Sequence, residues 1–430
     1  MNIGVVGCGY VGLVTGACFA AMGHKVLSVD NDAGKIGSLK KGLTPFFEPE
    51  LQDFLDKCRK KRLITFSDRI SELVAHSEII FICVGTPPRP DGSADLSAIE
   101  HVAHEIAKNL TRYTLIVDKS TVPVITGERV SKIIETQRPR GVPFDVASNP
   151  EFLREGTAVY DFFNPDRIVI GVNSARAAEL LQELYRPITA SLITTDIRSA
   201  ELIKHASNSF LATKIAYANA LSRICDLVGA DVKEVTRGVG MDRRIGQAFL
   251  NPGLVGGFCL PKDLDAFYHI SKRSGYDFKL LQVVKEINED QKEIVIQKLE
   301  EELWNLEKKT VSLLGLSFKP DTDDLRFAPS LDIARKLLER QVHIRAYDPA
   351  SMSRAKELLG PKVAFAKNAY DCAKGAHALI MMTEWPEFGR LDFKKLKAAM
   401  ELPVVVDVRN FWDPKSLKQL GFRYRGIGRS

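Results

Sequence analysis

Cysteine pairs at metal or redox spacing are absent from this chain. The seven cysteines, Cys8, Cys18, Cys58, Cys83, Cys225, Cys259 and Cys372, are odd in number, form no CxxC and join no His/Cys cluster. That disfavours a disulfide framework and points to a reducing, cytoplasmic setting. The eight histidines show no metal spacing either, so no metal is expected. Charge of one sign is not in excess: 60 basic against 54 acidic residues leave only +6. This is poor support for nucleic-acid binding, although a weakly basic chain suits an anionic small molecule. Long apolar runs are missing as well. Residues 2–23 are uncharged, but they contain six glycines and no basic segment precedes them. They read as strand, turn and helix rather than as a signal peptide or a membrane span. With 20 prolines, 30 glycines, 45% hydrophobic and 27% charged residues, the composition is that of an ordinary globular chain. Its 430 residues suggest about three domains at roughly 150 each.

What is present begins at the N-terminus. Ile3–Val6 reads as a buried strand, followed by Gly7-Cys8-Gly9-Tyr10-Val11-Gly12, a helix through Met22, and a second strand from Lys25 to Val29 that ends at Asp30. A lone GxGxxG is weak evidence, but here the strand, the helix and the later acid are all in place, which indicates a dinucleotide site. Gly7 allows the tight turn, Gly9 lets a pyrophosphate approach the backbone, and Gly12 lets the helix pack on the sheet. Asp30 suits a ribose 2′-hydroxyl and would repel a 2′-phosphate, so NAD is favoured over NADP. Lys35 is a possible second ribose contact.

Further apolar runs, 79–84, 115–117 and 146–148, stop at polar loops. They suggest a parallel sheet covered on both faces, whose carboxyl-end loops bind ligand. From Asp196 to about Val228 the pattern is helical, long enough to join two domains and to pack against its copy in a second subunit. A second helix is expected over 278–309. After Val311 the strand–helix–strand layout recurs without GxGxxG, as if the architecture were repeated for a different ligand. The expected fold is therefore α/β, with two Rossmann-like doubly wound domains joined by a long central helix. The boundaries fall at 1–195 (NAD-binding), 196–300 (central helical dimerisation region with the cysteine loop) and 301–430 (C-terminal domain). The basic run 57–62 reads as a solvated helix end.

The chemistry concentrates in Gly256-Gly257-Phe258-Cys259-Leu260-Pro261-Lys262-Asp263. A single intracellular cysteine is usually a small buried hydrophobe. Here glycines admit a ligand, Lys262 can favour the thiolate, and Asp263 can act on a water. A thiol combined with NAD has a clear logic. An aldehyde cannot give up a second hydride until something adds to its carbonyl, and a thiolate adduct restores a transferable hydride before hydrolysis to the acid. Lys204 and Asn208 are four apart and share a helix face that can meet a developing oxyanion. Glu151 and Glu155 are also four apart; they either relay a proton or simply mark a charged helix start. His205 points about 100° away from Lys204 on a helix, which weakens any general-base role.

Taken together these segments resemble the UDP-glucose/GDP-mannose dehydrogenase family over nearly the whole length. The resemblance rests on GCGYVG at 7–12, CVGTP at 83–87, STVP at 120–123, NPEFLREGTA at 149–158, AELIKHASNSF at 200–210, RIG at 244–246, GGFCLPKD at 256–263 and GLSFKPDTDDLR at 315–326. It implies NAD-dependent, four-electron oxidation of a nucleotide-sugar alcohol to the acid, with UDP-glucose to UDP-glucuronate favoured and a role in polysaccharide biosynthesis. It further implies a homo-oligomer of at least two subunits and a UDP site in the C-terminal domain. Cys259 would be the nucleophile, with Lys204, Asn208 and Asp263 stabilising the tetrahedral species and supporting water attack. Thr121, Glu151 and Glu155 would position water and sugar. Val11, Asp30, Lys35, Thr86, Thr121, Glu155, Lys262 and Arg326 would contact NAD, alongside the Gly7–Gly12 turn that carries Tyr10. Glu151, Phe152, Leu153 and Arg154, the loop Phe249, Leu250, Asn251, Pro252 and Gly253, Gly257 and Lys319 would hold the nucleotide-sugar. Arg244 would reach a neighbouring subunit's site.

The chain departs from the family pattern in places. Leu254-Val255 precede Gly256 where a further glycine and an aromatic are common, and the loop is one residue short. Phe258 stands where serine or tyrosine is usual, and Phe327 where an acid is frequent. Phe258 with Pro261-Lys262-Asp263 favours glucose over an N-acetyl sugar, while GDP-mannose remains an alternative. A hydroxyacid dehydrogenase of the 6-phosphogluconate type would lack the covalent thiol and the second α/β domain. A non-catalytic nucleotide-sugar sensor would not need the full set of polar groups.

Overall fold

The computed structural model describes residues 1–429. Two compact units emerge: residues 1–207 with 265–276, and residues 208–264 with 277–430. Each is built around one sheet.

In the first unit eight strands, β1 (Asn2–Val6), β2 (Lys25–Val29), β3 (Ile64–Ser67), β4 (Ile79–Ile82), β5 (Thr114–Asp118), β6 (Phe144–Ser148), β7 (Arg167–Val172) and β8 (Ser191–Thr195), lie in the order β3-β2-β1-β4-β5-β6-β7-β8. All neighbours are parallel except β6 and β7. The order reverses beside β1, between the chain directions leading to β2 and to β4. That is where a doubly wound sheet opens a crevice at its carboxyl edge. Strands β1, β4 and β5 are buried along almost their whole length because helices cover both faces, which explains their unbroken apolar sequences. The helix Tyr10–Ala21 is buried without a break from Gly12 to Ala20. It is packed on all sides rather than amphipathic.

In the second unit β9 (Thr310–Leu314), β10 (His343–Tyr347), β11 (Val363–Phe365), β12 (Ala378–Met381), β13 (Val404–Asp407) and β14 (Arg423–Gly426) form an all-parallel sheet in the order β11-β10-β9-β12-β13-β14. The repeated layout read after Val311 is thus a second Rossmann-like sheet. Its counterpart of Asp30 is Asp348, which follows β10. That carboxylate accepts Leu316 N–H (2.7 Å) and Ser317 N–H (3.0 Å) on one oxygen, and Ala350 and Ser351 N–H (2.9 and 2.8 Å) on the other. It is engaged in holding its own turn.

The long helix runs from Ile197 to Val228, one residue inside the expected start. The helix expected over 278–309 is Lys279–Leu303 and ends early. Trp304 takes a left-handed φ of 62°, which stops the helical hydrogen bonding six residues before β9. The basic run 57–62 lies at the end of helix Leu51–Lys60, as read. Among the described residues no helix is long and apolar enough to cross a membrane.

Candidate active site

The turn after β1 fits a dinucleotide. Gly7 has φ +99°, and a Cβ on Gly12 would lie 1.8 Å from the Gly7 carbonyl oxygen, so helix and strand touch there only through glycine. A Cβ on Gly9 would meet nothing within 4 Å: the space in front of that backbone is open. Gly9 caps the helix Tyr10–Ala21 with no side-chain hydrogen bond, and no acid stands in the first helical turn. The positive end of the helix dipole thus lies at that open space with no acid in the helix's own first turn. Tyr10 packs its ring on Phe46 at 3.9 Å between centroids.

Asp30 accepts the Cys8 N–H at 2.7 Å, the Asp32 N–H at 3.0 Å and Lys35 Nζ at 2.9 Å. Burial acts to raise its pKa, but the two backbone donors and the lysine outweigh it and hold the carboxyl below its ordinary value. It is held as an anion, which favours hydroxyl donors over a phosphate as neighbours. Asp30→Ala is therefore expected to narrow the preference for NAD over NADP by about 10–100-fold, the range of a lost charged hydrogen bond. The ratio of kcat/KM for the two cofactors measures it.

The loop after β5 is held from three sides. Thr86 Oγ1 donates to the Thr121 carbonyl at 2.9 Å. From the long helix, Glu201 accepts Ile125 N–H and Gly127 N–H, both at 2.7 Å, and His205 Nε2 lies 2.7 Å from the Val122 carbonyl. Burial lifts Glu201 to about 7 against the pull of those two N–H groups. His205 is thus a buried brace for the Thr121 segment, stacked on Phe267. Glu201 was not singled out from the sequence. Its only signal there is an acid one turn before His205.

Glu151 and Glu155 do not begin a helix, because residues 151–157 form a loop that leads into Ala158–Phe163. Pro150 and the backbone engagement of Glu151 explain this. Glu151 Oε2 accepts the Leu153 N–H at 2.6 Å, an arrangement that turns the chain, while Oε1 pairs with Lys204 Nζ at 3.1 Å. Both side chains of that ion pair are buried. The ring of Phe152 lies 3.7 Å from the Arg167 guanidinium carbon and 5.3 Å from Lys204 Nζ. Arg154 donates from its backbone and Nε to Asp161 (2.9 and 3.0 Å), so its guanidinium fastens the loop. Glu48, also not anticipated, accepts Gly156 and Ala158 N–H at 2.7 Å each and anchors the same loop from below.

Beneath Glu151 lies a buried polar group that the sequence did not announce. Lys119 Nζ donates to Asn149 Oδ1 at 3.0 Å, Tyr185 OH donates to the same oxygen at 2.6 Å, and Asn149 Nδ2 donates to the Val169 carbonyl at 2.8 Å. Burial lowers Lys119 to about 8, with nearby Cys83 and Glu151 opposing the shift and Lys204 adding to it. Burial likewise pushes the Cys83 thiol up to about 12, so Cys83 is inert. Between about pH 8 and 10.4 the unfolded lysine keeps a proton that the folded one has lost, so stability rises with pH there. Comparing the parent with Lys119→Met, denaturation midpoints at pH 7 and 10 are expected to show the parent gaining about 3 kcal/mol that the variant does not.

In the second unit Cys259 is the first residue of the helix Cys259–Arg273 and is exposed, whereas the other six cysteines are buried. A helix N-terminus favours a thiolate. Lys262 and Asp263 follow in the same turn, with Nζ and Oδ1 2.6 Å apart. Asn208 Nδ2 donates to Asp263 Oδ2 at 2.6 Å. Lys204 and Asn208, one turn apart on the long helix, thus each engage a buried carboxylate.

The loop Phe249–Gly253 is tied to the same helix. Asn219 Oδ1 accepts the Gly253 N–H (2.8 Å), and its Nδ2 donates to the Gly253 carbonyl (3.1 Å) and to Asn288 Oδ1 (2.9 Å). Leu254, the first residue of the shortened loop, is buried in the core of the C-terminal sheet, and its carbonyl accepts Arg409 Nη1 at 2.9 Å. Arg244 is exposed and bonded to Asp242. Lys319 lies 5.8 Å from the Phe318 ring, and a Cβ on Gly257 would strike that ring. Arg326 is forked onto Asp324.

Comparison with known proteins agrees with these two Rossmann-like halves. Residues 1–189, 198–290 and 312–414 match, in turn, the NAD-binding, central and UDP-binding domains of the UDP-glucose/GDP-mannose dehydrogenase family. The chain is 44% identical over 429 residues to UDP-glucose 6-dehydrogenase TuaD of Bacillus subtilis, covering 100% of this chain and 93% of that one. It is 43% identical over 437 residues to the UDP-glucose 6-dehydrogenase of Rhizobium meliloti, covering 100% of both. A UDP-glucose dehydrogenase structure from the archaeon Pyrobaculum islandicum superimposes with a TM-score of 0.94 at 38% identity, covering 100% of this chain and 98% of that chain. A UDP-D-ManNAc dehydrogenase from Pyrococcus horikoshii gives 0.87 at 28%, covering 100% and 99%. Across its full length, therefore, this chain belongs to the UDP-glucose/GDP-mannose dehydrogenase family.

Proposed function

We propose that the chain oxidises the C6 alcohol of UDP-glucose to UDP-glucuronate in two NAD-dependent steps through Cys259. The observation that carries this reading is the single exposed cysteine at a helix start, with Lys262 and Asp263 in its turn. Relatives named for UDP-glucose at over 40% identity support the substrate. Bound NAD supplies the hydride acceptor, one molecule per step. Its site would comprise the Gly7–Gly12 turn, Asp30, Lys35, Thr86, Thr121, Glu155, Lys262 and Arg326.

The residues act in sequence. Lys204, held by Glu151, steadies negative charge on the C6 oxygen as the alcohol gives up its hydride, passes its hydroxyl proton to solvent water and becomes an aldehyde. The Cys259 thiolate adds to the aldehyde carbon, forming a C–S bond and a thiohemiacetal. Loss of the second hydride leaves a thioester. Asp263, oriented by Asn208, takes a proton from water as the water attacks that carbonyl. The C–S bond breaks and the thiolate is restored. Glu151, Phe152, Leu153, Arg154, the loop Phe249–Gly253, Gly257 and Lys319 would hold the nucleotide-sugar. The same reading assigns 1–195 to the cofactor, 196–300 to the cysteine and the dimer region, and 301–430 to the nucleotide. Setting NADH formed against sugar consumed tests the reading, with UDP-glucose, UDP-galactose, UDP-N-acetyl sugars and GDP-mannose as the panel. Two NADH per UDP-glucose is the expected result, and one would refute the double oxidation.

A cytoplasmic role in polysaccharide precursor synthesis follows from the same reading. So does a dimer. On the long helix Phe210, Tyr217 and Ile224 recur every seventh residue and are each more than half exposed, a stripe suited to a second copy. Arg244, exposed, would then reach the neighbour's site. Sedimentation is expected to show a dimer that Tyr217→Glu weakens by tenfold or more, about 1.4 kcal/mol.

A further inference from the structure

Phe258 and Phe327 stand far apart in the chain, and the fold packs their rings together at 6.0 Å between centroids. The Phe258 ring is also a cation platform. The Arg326 guanidinium carbon lies 4.4 Å from its centroid and Lys262 Nζ 5.5 Å. Each cation is steered by a carboxylate as well. Arg326 donates Nε to Asp324 Oδ1 at 3.0 Å and Nη2 to Oδ2 at 2.6 Å, and Lys262 pairs with Asp263. Phe327 itself adopts a left-handed φ of 51°, uncommon for a bulky side chain. That conformation directs its carbonyl to the Gly257 N–H at 3.3 Å, which fastens the cysteine loop to the segment carrying Arg326.

We propose that Phe258 and Phe327 form an aromatic clamp that holds Arg326 and Lys262 in place beside Cys259, making Phe258 a positioning residue for the cofactor-facing cations. The Phe327 ring, on the segment that carries Arg326, covers the Phe258 ring. The cations keep their carboxylates for charge balance and take their direction from the ring face. This rests on the proposed role of Arg326 and Lys262 toward NAD.

The test compares Phe258→Leu, Phe258→Tyr, Phe327→Ala and Arg326→Ala, using calorimetric NAD affinity, steady-state constants and the iodoacetamide labelling rate of Cys259 without cofactor. Phe258→Leu keeps apolar volume but removes the π face. It is expected to raise the Kd and KM for NAD about 3–10-fold, with kcat changed less than about twofold, and to slow Cys259 labelling. Phe258→Tyr is expected to restore affinity to within about twofold, because the ring face returns. Phe327→Ala, a half-exposed site that folding tolerates, is expected to weaken NAD about twofold to threefold. If Arg326→Ala weakens NAD binding while Phe258→Leu and Phe327→Ala do not, the clamp is wrong and the cofactor role of Arg326 stands. If Arg326→Ala leaves affinity unchanged, that role fails and the clamp fails with it.

Discussion

Cys259→Ser is expected to end formation of UDP-glucuronate, with turnover to acid falling on the order of 10³-fold or more. Serine has a similar shape but stays protonated at neutral pH, so it supplies no nucleophile to the aldehyde. The other cysteines cannot substitute. Cys83 is buried with its thiol pushed up to about 12, and Cys8 and Cys18 are raised further by burial. NAD affinity is expected to stay within about twofold, since the Gly7–Gly12 turn and Asp30 are untouched. Product analysis by mass spectrometry checks the first point and calorimetric NAD titration the second. Undiminished acid yield in the variant would remove Cys259 from the mechanism. Because a stalled thioester is a covalent species, a slowed hydrolysis variant such as Asp263→Asn should also accumulate a mass adduct on Cys259, and an adduct elsewhere would overturn the assignment.

Lys204→Ala is the second large effect. Lys204 and Glu151 are 6% and 5% exposed at their side chains and 3.1 Å apart. Removing the ammonium leaves a carboxylate buried without its partner, which costs about 3–5 kcal/mol when the site cannot rehydrate. Phe152 also loses a cation from its ring face. Activity is expected to fall by about 10²–10³, the usual cost of one oxyanion donor, on top of a lower melting temperature. The two contributions separate in a cycle with Glu151→Gln. The double variant should regain most of the stability, because no charge is left buried alone, yet should not regain activity. Recovery of both would mean that Lys204 is structural only.

The dinucleotide turn was legible because its chemistry is local. Strand, glycines, helix and acid lie within thirty residues, and each glycine answers a backbone requirement that its neighbours impose. The grouping of Cys259, Lys262 and Asp263 was legible for the same reason, since all three stand at one helix start. Several strands were not read. β8 is largely exposed and polar, β11 has three residues, and β14 reads Arg-Tyr-Arg-Gly. Edge strands need no continuous apolar run, so they leave little periodic signal. The end of the Lys279–Leu303 helix was missed because a left-handed tryptophan, not a glycine or proline, stops it.

From its sequence alone the chain determined the two α/β layers and the glycine turn of the NAD-binding domain. Tertiary structure decided what surrounds them. It placed Glu201 and His205 behind the Thr121 loop, Lys119 and Asn149 beneath Glu151, and Phe327 against Phe258. Those partners lie tens of residues apart, and a buried polar side chain gains its function only from the group that satisfies it. No spacing rule specifies which donor will face which acceptor once the sheets have closed over them.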